Sequence, residues 1–304
     1  MMGARKEAGV ALAILLWFIA AMSLLVGAIM YQTRIDIKLS QLRIQQAQAE
    51  ALGDGAAQLA LMKRLQAQQD VGFSERVTYY DMRLADHDVK VRMLSVSGLV
   101  DLNTSPETLL LTMFKINAGL SEDQASLLAS RVVAWRSSSK LNENESDEYT
   151  SGASPYKVIR YGRFESPEDL MMVEGMTREI YDKVKNSIYV GQLDSAQVHM
   201  PSAPFSVLTV LAEGDEALAS QWQLARQSEQ MFTSTGINAE WLAASPVAMY
   251  RIESRVRFLS GEVFQRTRWV EQNGTGYEGL PWKFIRTEPV VRVEAFDFVN
   301  ELGK

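Results

Sequence analysis

The chain has 304 residues, 47% of them hydrophobic and 22% charged, which is enough to bury a real core and to hold two or three modest domains. It contains no cysteine, which excludes disulfides, thiol nucleophiles and thiolate metal sites, and its 2 histidines supply metal chemistry poorly. The formal net charge of -6 argues against a polyanion as the main partner, because nucleic-acid binding draws most of its affinity from basic groups on phosphate. In chain order, the first element is the run VALAILLWFIAAMSLLVGAIM within Val10 to Met30, which has no charged residue. At 1.5 Å per residue it spans roughly 30 Å of hydrocarbon, enough for one transmembrane helix. Arg5 and Lys6 precede it, so the positive-inside rule keeps the N-terminus cytoplasmic and sends everything after Tyr31 across the membrane.

The run is too long for the apolar core of an ordinary secretory signal, about 7 to 15 residues, and no small-residue cleavage site closes it. Gly9 stands just before it. A short charged leader ending in glycine, followed at once by an apolar helix, resembles the leader of type IV pilin-like proteins; the alternative is a plain uncleaved signal anchor. The resemblance implies that a prepilin peptidase cuts between Gly9 and Val10 on the cytoplasmic side and that the new N-terminus is methylated. Most pilin-like proteins carry a glutamate at the fifth mature position, which meets the N-terminal amine of a neighbouring subunit within the membrane. Here that position is Ile14. An unpaired carboxylate in hydrocarbon costs several kcal/mol, so the glutamate belongs with a partner amine. A subunit lacking it has nothing to insert beneath, as expected of the first subunit at a tip.

The helical pattern continues to about residue 70. Ile35, Leu39, Leu42, Ala49, Leu52, Ala56 and Leu59 recur at steps of three and four with polar residues between them, which predicts an amphipathic stalk over 31–70. Its second half, from Gly53, is expected to pack on the globular part, and Gly53 with Gly55 to bend it. From Glu75 the period changes to two. Thr78, Tyr80, Met82 and Leu84, a turn over Ala85 to Asp88, then Val89, Val91 and Met93 predict a hairpin, with a third strand over Ser95 to Leu102 and His87 as a solvated turn residue.

DLNTSPETLLLTMFKINAGLSEDQASLLASRVVAWR, Asp101 to Arg136, predicts two short helices. Asn103 or Thr104 caps the first with Pro106 in its first turn and Glu107 completing a capping box; Ser121 with Asp123 caps the second. A hydrophobic strand running into Leu-Asn-Thr and then two helices resembles the helix-hairpin-helix modules that grip DNA, and also the helical insert of the type II secretion minor pseudopilin K. DNA-binding hairpins need glycines so that backbone N–H groups can reach a phosphate, whereas the turn Lys115 to Leu120 has one glycine and one cation. Beyond it, LNENESDEY places Glu143, Glu145, Asp147 and Glu148 in one loop. Calcium takes six to eight oxygens and such a loop can provide several; a solvated acidic loop is the other reading.

The series from Glu148 to Tyr181 resembles the pseudopilin K family closely: Glu148-Tyr149, Pro155-Tyr156, Phe164-Glu165-Ser166, Glu168-Asp169-Leu170, Val173-Glu174-Gly175-Met176-Thr177 and Tyr181, in the family's order. The resemblance implies a calcium-binding tip subunit whose partners are minor pseudopilins of types I and J, other pseudopilins and prepilin peptidase in the bacterial inner membrane, with the bulk periplasmic and a secreted protein as a further contact. Family members carry aspartates just after the tryptophan that ends the second helix; this chain has Ser137, Ser138 and Ser139 after Trp135-Arg136, so a family calcium site would lose ligands there. On bare residues, Ser166 to Val190 is a capped helix, Ser166 with Pro167 and Asp169, then a second helix begun by Thr177.

Val198 to Arg226 faintly repeats the strand-to-helix passage; it resembles a second such passage of pseudopilin K proteins, which usually has an asparagine-threonine pair where this chain has Met200-Pro201-Ser202, and His199 stands at the edge of the core. Met249 to Ile285 predicts an antiparallel meander in which Tyr250, Ile252, Val256 and Phe258 pack while Arg251, Glu253, Arg255 and Arg257 face water, and Pro289 to Val299 predicts an edge strand or tail. The expected fold is therefore α+β: a leader (1–9), a transmembrane helix (10–30) and stalk (31–70), pilin-like first strands (71–102), a helical insert of helix-hairpin-helix or SAM-like kind (103–190), a second helical passage (191–245) and C-terminal strands (246–304). The long helix packs on the antiparallel sheet. The expected function is assembly: a minor pseudopilin nucleating or capping the secretion pseudopilus for export of folded proteins. The alternative is a membrane-anchored DNA-binding protein of the competence type. No paired acid and base or nucleophile constellation supports an enzyme.

Overall fold

The structure, a computed structural model, describes residues 7–68, 76–137, 162–191, 197–227, 237–272 and 280–298. The chain divides into two compact units, 1–52 and 53–304. The first is built on helix α1, which runs without interruption from Glu7 to Ala67 and so continues into the second. In the first unit the large apolar side chains from Val10 to Tyr31 stand exposed, Trp17 at 80%. With a mean hydropathy of 2.6 over its most apolar window, this helix is long and apolar enough to cross a membrane.

In the second unit the end of α1 leads to β1 (Thr78–Leu84) and β2 (His87–Ser95). Ala85 and Asp86 turn between them at φ 46° and 67°, the left-handed pair that a tight hairpin requires. His87 is thus the first residue of β2, paired with Leu84 and tilted against Phe258 with ring centroids 4.7 Å apart, rather than a solvated turn residue. The expected third strand is built only in its last part, after Gly98. Val96–Gly98 form a 3-10 turn whose start is capped by the Ser95 hydroxyl, a local bond that competes with a ladder. A Cβ on Gly98 would lie 2.1 Å from the Ser202 carbonyl oxygen, so the second passage presses against this turn. The chain then makes only β3 (Val100–Asp101) before α2 (Glu107–Ala118) and α3 (Glu122–Ser137).

Further along, Ser166 and Asp169 form the expected capping box: the Ser166 backbone N–H donates to Asp169 Oδ2 at 3.0 Å and its hydroxyl to Oδ1 at 3.1 Å. The turn it opens, Pro167–Met172, is 3-10 rather than α. Thr177 caps α4 (Arg178–Val184), and β4 (Ile188–Tyr189) pairs parallel with β3. The second passage comes next as a 3-10 turn, Met200–Ser202, then α5 (Phe205–Leu211) and α6 (Glu216–Gln227). Last come β5 (Met249–Arg257), β6 (Val263–Gln272), β7 (Trp282–Thr287) and β8 (Val291–Val293).

The main sheet is antiparallel in the order β1-β2-β5-β6-β7, with β8 beside the start of β6. From Gly53 onward α1 packs on one face. Ala56, Ala57 and Ala60 are 0 to 1% exposed and keep the helix close to the strands, and a Cβ on Gly53 would lie 2.6 Å from Arg266 Cβ. Gly53 therefore serves close approach, and the helix passes through it and Gly55 without a break. Polar groups on this face are answered across the contact: Asp54 takes Arg266 Nε at 2.9 Å and lies 3.5 Å from Arg268, and Arg64 donates to the Tyr250 hydroxyl at 2.8 Å.

The opposite face corrects the expected wet meander. Glu253 is 0% exposed, Arg255 4% and Arg251 5%. The cover comes from distant segments: Asn186 accepts from Arg251 through its carbonyl at 3.1 Å and its side chain at 3.2 Å, and Phe298 stacks on Arg255 at 4.1 Å and Arg92 at 4.7 Å. The helical elements share one apolar core, with Leu109, Leu110, Met113 and Phe114 of α2 fully buried against residues of α3, α4 and α5. Tyr189 stacked on Trp269 at 5.8 Å joins that core to the sheet.

Candidate functional site

Gly9 and Val10 both lie inside α1. Val10 is 61% and Ile14 64% exposed, so the helix presents the fifth position after Gly9 outward as a hydrocarbon side chain. Such a surface in lipid associates by shape and van der Waals contact, with no charge to satisfy.

The acidic residues Glu143, Glu145, Asp147 and Glu148 lie outside the described residues, but the base from which their segment departs is well defined. The Gly162 N–H donates to the Trp135 carbonyl at 3.0 Å, and Trp135 stacks on Phe164 with centroids 6.2 Å apart. The described residues on either side of 138–161 are therefore held together. Asn103, which with Thr104 is one of two caps the sequence offers, is the staple of this base: its side-chain oxygen accepts from the Phe164 N–H at 2.8 Å, and its amide donates to the Phe164 carbonyl at 3.0 Å and the Gly191 carbonyl at 3.4 Å. The cap of α2 is left to Pro106, which has no side-chain bond to give. Arg136 fastens the other side, donating to the Leu102 and Ser105 carbonyls at 2.8 and 2.6 Å. Burial pushes the neighbouring Asp101 carboxyl up to about 6, against the pull of the Asn103 N–H, Thr104, Arg163 and Arg136. These contacts make a rigid platform, and among the described residues no group of three or more histidines, cysteines or carboxylates is placed to hold a metal.

Helix α2 ends at Gly119, φ 71°, where the turn to α3 begins, and the cation Lys115 is paired with Glu122. A phosphate at this hairpin would have to compete with that carboxylate. In the second passage, His199 is 7% exposed, its N–H donates to the Ser97 carbonyl at 2.7 Å, and its Nδ1 lies 2.8 Å from the Ser202 hydroxyl. Burial holds the imidazole below its ordinary value. The backbone bond to Ser97 ties the two passages together, and with Ser202 at 0% exposure the side-chain pair offers no reacting atom to solvent.

The charged centre that sequence reasoning missed is on the covered sheet face. Glu253 accepts from Arg92 Nε at 2.7 Å and its second oxygen lies against Arg251. Burial acts to raise this carboxyl, but the charges of Arg251, Arg92 and Arg255 with the Arg92 hydrogen bond outweigh it and hold it at about 2.

No family model matches the chain, and no curated protein matches it. Among solved structures, a chain in the crystal structure of the GspK-GspI-GspJ complex from the enterotoxigenic Escherichia coli Type 2 Secretion System is similar over 84% of this chain and 100% of its own length, with a TM-score of 0.54 and 12% sequence identity. The chain thus has the α+β fold of a component of that complex, a long helix packed on an antiparallel sheet with a helical insert.

Proposed function

We propose that the chain is a K-type minor pseudopilin that sits at the tip of a type II secretion pseudopilus and nucleates or caps its assembly. The observation that carries the reading is the fold likeness, which extends over the whole length of a chain taken from a GspK-GspI-GspJ complex. The leader ending at Gly9 and the hydrocarbon side chain of Ile14 agree with it independently. In this reading prepilin peptidase cuts between Gly9 and Val10 on the cytoplasmic side of the inner membrane, the new N-terminus is methylated, and the body stands in the periplasm. In the same reading calcium is held by the acidic segment of Glu143 to Glu148.

The physical division of labour follows from the two units. The exposed apolar helix supplies lateral association with other pseudopilin helices. The body supplies selectivity, since the helical insert adds bulk that subunits stacked above would have to displace. Without a carboxylate at Ile14 the helix makes no pairing to a preceding amine, which suits a first subunit and no other.

The test is co-purification of the full-length chain, in detergent, with minor pseudopilins of types I and J. A stoichiometric complex at micromolar concentration is the expected result. Recovery of the chain alone under conditions where the other two associate would contradict the assignment.

A further inference from the structure

A cavity of about 100 Å³ lies where β1 and β2 meet α6, and Arg92, Gln223, Arg226 and Phe298 line it, with the exposed Tyr79 at its edge. Its chemistry is not that of a packing defect. Arg226 is 5% exposed; its Nη1 donates to the Ala203 carbonyl at 2.7 Å and reaches the Pro201 carbonyl at 3.5 Å, and among the described residues no carboxylate pairs with it. A guanidinium has five N–H donors in a fixed fork, so Nε and Nη2 remain to be answered. Arg92 and Arg76 bring further positive charge close, and burial with that repulsion holds the Arg226 guanidinium below its ordinary value. Gln223 is 8% exposed and among the described residues its side-chain oxygen has no hydrogen-bond partner. A half-turn of the same amide presents two donors instead.

A buried cation without a counterion is costly, and a buried polar atom without a partner calls for an occupant. A single water needs only about 10–15 Å³ of such space, so the cavity has room for several waters or one small multi-atom anion. We propose that this cavity is a binding site for a small oxyanion, gripped by the Arg226 guanidinium and oriented by the Gln223 amide, with Phe298 closing one side. Arg92 contributes field, since its own guanidinium is engaged by Glu253 at 2.7 Å. A hydrogen phosphate suits the pair well, because its oxygens accept from Arg226 while its hydroxyl can donate to Gln223 Oε1; the side-chain carboxylate of a glutamate offers the same oxygens from a different source.

The experiment is a thermal-unfolding titration of the full-length protein in detergent with inorganic phosphate, against sodium chloride at matched ionic strength. A ligand at 100 times its dissociation constant should raise the midpoint by about 5–10 °C for a body of this size. Arg226→Gln should abolish the phosphate-specific shift; Gln223→Met, which keeps the volume and the charge, should reduce it even if Arg226→Gln folds poorly. A short glutamate-containing peptide forms the second arm. A shift with phosphate alone supports a free anion as the occupant, and a shift with the peptide supports a protein carboxylate. Equal midpoints in phosphate and chloride together with no response to the peptide, or a full phosphate shift retained in both variants, would overturn the proposal.

Discussion

Replacing Glu253 with glutamine should destabilise the folded body by about 3–5 kcal/mol, the usual cost of removing one partner from a buried ion cluster. The carboxylate is fully buried between Arg92 and Arg251. Glutamine keeps the shape but takes away the negative charge that both guanidinium groups face in a low dielectric. The pH dependence gives an independent check. The carboxyl is held at about 2 in the fold against 4.5 when unfolded, so the unfolded chain binds more protons between those values. Its contribution, about 3 kcal/mol from the size of that shift, is fully present above pH 4.5 and is lost as pH falls toward 2. Denaturant unfolding of both proteins from pH 7 down to pH 3 should therefore show a gap that narrows with acid. A gap that stays constant would mean that the lost interaction is packing and not charge.

Replacing Gly9 with phenylalanine should abolish maturation. In the processed-leader reading, the residue before the scissile bond must let the peptidase approach the backbone, and a side chain there blocks that approach. The measurement is the mass of the protein recovered from cells carrying prepilin peptidase: cleavage before Val10 in the wild type, the full-length mass in the variant. Normal maturation of the variant would remove the leader reading, and with it the meaning of Ile14 as the fifth position.

Local rules made the helices and the first hairpin legible in the sequence. Alternation gave β1 and β2, the apolar spacing gave α2 and α3, and Ser166 with Asp169 announced a helical start that the structure keeps. What could not be read was the covering of a face by remote chain. Arg251, Glu253 and Arg255 alternate as a solvated strand face would, because a period of two says which residues share a face and nothing about what lies over it. The cover is Asn186 and the segment around Phe298, brought there only by the tertiary fold. Asn103 misled in the same way. Its position before Pro106 fits a cap, yet its side chain spends its bonds on Phe164 and Gly191, 61 and 88 residues away. Gly53 was legible as special and not as to why: the reason is the close approach of β6 at Arg266. The long apolar helix was the most legible element, since length and apolarity alone define it.

The tip assignment is tested most directly by locating the chain in assembled pseudopili. Fibres built in the presence of the chain carrying a small exposed epitope, imaged with a gold-labelled antibody, should show label at one end only and at about one site per fibre. Label distributed along the length would show that subunits stack above this one, and would contradict a helix that begins the fibre with a hydrocarbon side chain at Ile14.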